Sequence, residues 1–137
     1  MRFIILIKAT PSSEAGILPG EPFLTEMARY HEQLVKAGAL LDASGLYPTA
    51  KGWRIRYVGG KRVASDGPFT GNEGLIAGYT LIQVQSKAEA VEWSRRFPNS
   101  AIDGEDDEIE VRQLLELEDL DASAVERFRA LGIGTGI

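Results

Sequence analysis

Hydrophobic positions change period several times along this chain, and each change marks an element. Phe3 to Ile7 is apolar without a break, as expected of a central strand covered on both faces, or on one face with a partner subunit on the other. The Ser-, Gly- and Pro-rich stretch from Lys8 to Gly20 predicts a loop. Pro22 can take the first helical position, and Phe23, Met27, Tyr30, Leu34 and Ala37 then recur at helical spacing until Gly38 ends the helix. Leu40 to Leu46 reads as a strand closed by Tyr47-Pro48.

Trp53 to Tyr57 alternates, Gly59-Gly60 supplies a two-residue turn, and Lys61 to Ser65 returns, which predicts a hairpin. A two-residue turn pairs Val58 with Lys61, Tyr57 with Arg62, Ile55 with Ala64 and Trp53 with Asp66. Trp53, Ile55, Tyr57, Arg62 and Asp66 then share one face, with Asp66 against an aromatic wall. Leu75 to Val84 matches a second central strand, in which Gly78 allows a bulge or close packing. Ser86 and Glu89 form a capping box that opens a helix with Ala90, Trp93 and Phe97 on one stripe, stopped before Pro98. Ile109 to Leu117 alternates as a strand, Asp121 to Leu131 is amphipathic, and a Gly-rich tail follows that is expected to be mobile.

With the hairpin set aside as an insertion, the order is strand, helix, strand, strand, helix, strand. This is the split βαβ pattern of an α+β, ferredoxin-like fold, in which the first and third core strands occupy the middle of the sheet. Phe3 to Ile7 and Leu75 to Val84, the most apolar strands, are those two. Helices on one side leave the other sheet face open, and such sheets pair face to face, so the expectation is a homodimer forming a dimeric α+β barrel. Residues 1–120 should carry this domain, with 121–137 as its C-terminal helix and flexible tail.

Composition narrows the function. A chain of 137 residues can bury a core without staples. The absence of cysteine excludes disulfides, thiolate metal sites and cysteine nucleophiles, and a cytoplasmic protein is expected. The apolar start is too short to span a membrane and no small-residue cleavage site follows it. A net charge of −5 argues against nucleic acid as a general partner. Five of the fifteen basic residues, Lys51, Arg54, Arg56, Lys61 and Arg62, fall in a stretch without acids between Asp42 and Asp66, which leaves ten against twenty elsewhere. Such a cationic hairpin either guards an edge against aggregation or attracts a small anionic ligand.

Asp66-Gly67-Pro68-Phe69 carries the strongest chemical signal. A turn Asp normally accepts the N–H two residues on, but here that residue is Pro68, which has none. The Asp66 carboxylate must turn to Phe69, Thr70, a distant group or a ligand. It is the leading candidate for an acid or base, with a purely structural turn role as the alternative. Gly67 is the most permissive residue before a proline and Pro68 fixes the bend, while Phe69 fits a core anchor or a ligand contact. Trp53 belongs to the same candidate binding surface. Lys8 and Arg112 end or interrupt apolar strands and could face a ligand on the open sheet; the alternative is an ion pair with Glu110 or Glu14.

These residues carry a resemblance. Asp66-Gly67-Pro68-Phe69, preceded by Gly59-Gly60-Lys61-Arg62 and followed by Ile76-Ala77-Gly78-Tyr79, resembles the DGPF branch of the YCII-related family. Lys8-Ala9-Thr10, Ser13 to Gly16, Lys36-Ala37-Gly38, Gly45 to Pro48 and Glu110 to Gln113 continue the likeness over nearly the whole chain. The resemblance implies a bacterial, ferredoxin-like, dimeric α+β barrel, from a family proposed to contain small-molecule enzymes or regulatory accessories. Two departures stand out. The family continues its tetrapeptide with a Glu-Thr-Lys-Glu-like segment, where this chain has Gly71-Asn72-Glu73-Gly74. Other branches carry a His early in the first helix with a proposed catalytic role, but here that region is Leu24-Thr25-Glu26-Met27, and His31 a turn later does not inherit it.

His31 sits at the boundary of the helix stripe, about 80° from its centre. It suits either acid–base work or a partly buried imidazole capped by a backbone group. As the only histidine it excludes paired-histidine metal motifs. The acidic run Asp103, Glu105, Asp106, Asp107 and Glu108 lacks EF-hand spacing and reads as a solvated loop. Gly132, Gly134 and Gly136 follow a helix and open nothing, so neither a metal nor a nucleotide cofactor is expected. Two functions remain: a small-molecule enzyme with Asp66 as acid or base in an aromatic-lined cleft, or a sensor or accessory dimer whose cleft only binds.

Overall fold

A computed structural model describes residues 1–71, 74–99 and 105–134. Asn72, Glu73, Asp103 and Gly136 with the end of the tail lie outside the described residues. The main sheet has four antiparallel strands in the order β2-β5-β1-β6: β1 is Arg2–Lys8, β2 Leu40–Gly45, β5 Ile76–Gln83 and β6 Ile109–Gln113. The two most apolar strands, β1 and β5, are the central pair, as the ferredoxin-like reading requires.

Alternation explains why this sheet has a core on one side. Phe3 and Ile5 of β1 pack with Ile82 and Val84, with Tyr30 and Leu34 of helix α2 (Glu21–Lys36), and with Ala90 and Trp93 of helix α3 (Lys87–Arg95). Tyr30 crosses this layer, its ring edge-on to Trp93 and Phe97 and its hydroxyl donating to the Trp93 carbonyl at 2.8 Å. Burial pushes that phenol up to about 12. Ile4 and Leu6 point to the opposite face, beside Leu81 and Tyr79 of β5 and Arg112 and Glu110 of β6.

Helix ends follow the local chemistry. Gly38, at φ +69°, ends α2 in the left-handed conformation, and the Ala39 N–H reaches back to the Leu34 carbonyl. Ser86 caps α3 by accepting from the Glu89 N–H, while the Glu89 carboxylate accepts from Gln85 N–H. Two expectations change. The loop after β1 contains a short helix, α1 (Pro11–Glu14), because Thr10 and Ser13 satisfy each other's backbone in a capping box around Pro11. The last strand stops at Gln113 rather than Leu117, because Glu116 and Asp119 cap each other and turn the chain into a 3-10 turn at Leu117–Asp119. Helix α4 (Ala122–Ala130) follows, capped by Asp121.

The inserted hairpin, β3 (Trp53–Val58) and β4 (Lys61–Asp66), is a separate two-stranded sheet with the register expected from counting, Trp53 opposite Asp66 and Val58 opposite Lys61. Gly59 and Gly60, at φ +56° and +75°, make its turn.

Candidate functional site

The first half of α2 does not reach the core. Only Tyr30 and Leu34 of that helix are buried, and Phe23, Leu24 and Met27 instead form one wall of a pocket of about 700 Å³. The loop after α1 supplies Ile17, Leu18 and Pro19, and β2 with the turn after it supplies Ala43 to Pro48 and Lys51. Ile7 and Lys8 at the end of β1, with Ala77, Tyr79 and Thr80 of β5, line the rest. The volume falls in the range of small-molecule sites, and the lining is mainly aliphatic and aromatic.

Most polar groups in this wall are already engaged. His31 Nδ1 lies 2.7 Å from the Met27 carbonyl, which can only accept, so Nδ1 carries the proton. In the neutral ring Nε2 then accepts from the Thr80 hydroxyl at 2.8 Å, and Thr80 is almost wholly buried. Ser13 and Thr10 bond each other. The Ser44 hydroxyl donates to the Gly45 carbonyl, and the Tyr79 hydroxyl donates to Asp42 at 2.7 Å, a bond that raises the phenol's pKa. Lys8 pairs with Glu110 at 3.3 Å, and the Lys51 ammonium sits 4.0 Å above the Tyr47 ring.

The tetrapeptide forms a second cluster at the base of the hairpin. Asp66 is exposed, and among the described residues its carboxylate has no hydrogen-bond or ion-pair partner. The Phe69 N–H that it could have taken is given to Thr49 Oγ1 at 3.0 Å. Thr49 in turn donates its N–H and hydroxyl to the Glu14 carboxylate, at 3.1 and 2.6 Å. Gly67 lies directly on the Thr49 backbone, where an added Cβ would meet the Thr49 carbonyl oxygen at 1.8 Å. The Gly67-Pro68 peptide is cis. Phe69 is half-buried with the Arg54 guanidinium 3.8 Å over its ring, and Pro68 is exposed.

Of the residues singled out in the sequence, Lys8 and His31 line the pocket. Trp53, Asp66, Gly67, Pro68 and Phe69 gather at the hairpin base, and Arg112 is exposed on β6 opposite Ile4. The pocket residues Leu18 and Leu24 carry no motif, while Tyr47 and Lys51 stand out in the sequence only within the Gly45 to Pro48 likeness and the cationic stretch. Phe23 and Met27 were legible only as a helical stripe, which predicts burial without saying against what. Among the described residues no three acidic or imidazole side chains converge as a metal site would need, and no helix is long and apolar enough to cross a membrane.

Comparison with known proteins agrees with the motif reading. The chain is 28% identical over 80 residues to an uncharacterized protein of Rhizobium meliloti, a match covering 58% of this chain and 64% of that protein. Among solved structures it is similar to the 5-chloro-2-hydroxyhydroquinone dehydrochlorinase TftG of Burkholderia phenoliruptrix in complex with 2,5-dihydroxybenzoquinone, at 12% identity and a TM-score of 0.43, over 88% of this chain and 100% of that one. The profile of the YCII-related domain matches residues 1–118, and the chain belongs to that family.

Proposed function

We propose that this protein is a small-molecule binding protein whose site is the pocket between α2, the loop after α1 and β2, occupied by a compact and largely apolar organic ligand. The observation that carries this reading is a cavity of about 700 Å³ walled by Phe23, Leu24, Met27 and Leu18, in which most polar side chains already have partners. Apolar contact then supplies most of the affinity, because a ligand gains few hydrogen bonds from groups that must first release existing ones. Lys51 at the mouth favours a ligand bearing an anionic group. A homodimer, formed over the sheet face that carries Ile4 and Leu6, is part of the proposal.

Binding without a chemical step is the simpler reading of this geometry. Acid–base chemistry in the pocket would run through His31, whose Nε2 must give up Thr80 before it can take a substrate proton. Asp66 stands outside the pocket lining of its own chain.

Fluorescence titration with the neutral dye phenylnaphthylamine tests the reading. Saturable binding of one dye per chain is expected, and Met27→Gln, which keeps side-chain volume and removes apolar surface, should weaken it by about fivefold or more. Lys51→Met should leave the neutral dye unaffected and weaken a carboxylated analogue. Absence of saturation, or indifference to Met27→Gln, contradicts the proposal.

A further inference from the structure

The hairpin has two bare faces. All six residues of β3 and all six of β4 are exposed, with Trp53 at 67% and Tyr57 at 74%. The register puts Trp53, Ile55 and Tyr57 on the same face. A lone two-stranded hairpin is marginal in water, and a row of large apolar side chains on its surface marks an interaction site.

A second bare apolar surface lies at the mouth of the pocket. Leu18 is 82% exposed and Tyr47 74%, and Ile17, Leu24 and Leu46 are each more than half exposed. The pocket of a single chain is thus incompletely walled.

Charge selects the occupant. The hairpin holds Arg54, Arg56, Lys61 and Arg62 against one acid, Asp66 at its base, whereas the rest of the chain has nineteen acidic residues against eleven basic ones. Glu21 and Glu26 are exposed on α2, the helix whose Phe23, Leu24 and Met27 wall the pocket. An acidic body with an apolar, open pocket mouth is what a cationic, aromatic hairpin fits, and a second copy offers that surface at matched concentration. The same acidic body repels nucleic acid.

We infer that each hairpin clasps a second copy of this chain, laying its Trp53–Tyr57 face over the pocket mouth of that copy. The exchange is reciprocal, so two hairpins cover two pockets and the contact closes on itself. The face that covers the pocket also carries Asp66, which gives that carboxylate and Trp53 a route to the ligand site of the opposite chain. The covering role rests on the pocket reading above; the clasp does not.

Cross-linking between variants tests it, since the chain has no cysteine of its own. Leu18→Cys chains are mixed with Tyr57→Cys chains and oxidised mildly, with Val91→Cys on the outer side of α3 replacing Tyr57→Cys as the control. The clasp predicts a covalent Leu18→Cys to Tyr57→Cys dimer in clear excess over the control. It also predicts that Trp53→Ser/Tyr57→Ser keeps its circular dichroism spectrum and the dimer formed over the Ile4 and Leu6 sheet face, and releases phenylnaphthylamine about tenfold faster. A cross-link no stronger than the control, a wild-type chain that sediments as a monomer, or hairpin-dependent binding of single-stranded oligonucleotide by monomers overturns the inference. A cross-link without dye binding keeps the clasp and removes the pocket reading. Dye binding without the cross-link does the reverse.

Discussion

Gly67 has no room for a side chain, because the Thr49 carbonyl oxygen would stand 1.8 Å from its Cβ. The atom in the way is backbone, so Gly67→Ala must displace one of the two turns. It should cost more than about 2 kcal/mol, read as a fall in melting temperature. Asp66→Asn next to it should change stability by less than about 0.5 kcal/mol, because the exposed carboxylate has no partner among the described residues to lose. The sequence told half of this story. Pro68 removes the donor that Asp66 would use, and that was legible. The loss of the Phe69 N–H to Thr49, twenty residues earlier, was not, since it depends on where a 3-10 turn places that hydroxyl. Tyr30 is a second residue with a measurable signature. Its folded pKa, about 12, lies above the ordinary 10.0, so its contribution is complete below pH 10 and is lost as pH rises from there towards 12, where the unfolded phenol ionises first. Spectrophotometric titration of the folded protein should show two of the four tyrosines lagging, Tyr79 and, last, Tyr30, and Tyr30→Phe should remove the latest step.

At the scale of elements, the Glu14–Thr49–Phe69 chain of hydrogen bonds joins three segments that are distant in sequence: helix α1, the turn before the hairpin, and the tetrapeptide after it. Glu14 precedes the Gly16–Pro19 stretch of the pocket wall, so the hairpin base and the pocket rim are fixed by one side chain between them. Thr49→Val keeps the shape and deletes the hydroxyl, leaving the Phe69 N–H unpaired and Glu14 with the Thr49 N–H alone. We expect a loss of about 1–3 kcal/mol in denaturant unfolding, with amide exchange at Phe69 accelerated. Helices α2 and α3 and the hairpin were readable because period, caps and turn residues agree in each. Helix α1 was hidden because four residues leave no periodicity, only the Thr10-Pro11 start signal inside a Ser- and Gly-rich stretch. The early end of β6 was hidden because the apolar alternation runs on through Leu115 and Leu117 while the Glu116 and Asp119 side chains bend the backbone.

For the whole molecule, strand order was legible from the order of elements, and apolarity agreed with it, since only strands flanked on both edges need be apolar throughout, and β1 and β5 are those. The pocket was not legible, because it is made by a mostly irregular loop closing over the half of α2 that the core leaves free. That loop carries Ile17 and Leu18, apolar residues in a place where solvent exposure would otherwise be the rule. The central claim is therefore a location: an apolar ligand belongs beside Met27 and His31, away from the open sheet face. Backbone amide chemical-shift mapping during titration with phenylnaphthylamine measures that location directly. The account predicts that the largest shifts fall on Leu18, Leu24, Met27, His31 and Gly45, and that they saturate together. Shifts confined to Ile4, Leu6, Leu81 and Arg112, on the opposite face of the sheet, would contradict it.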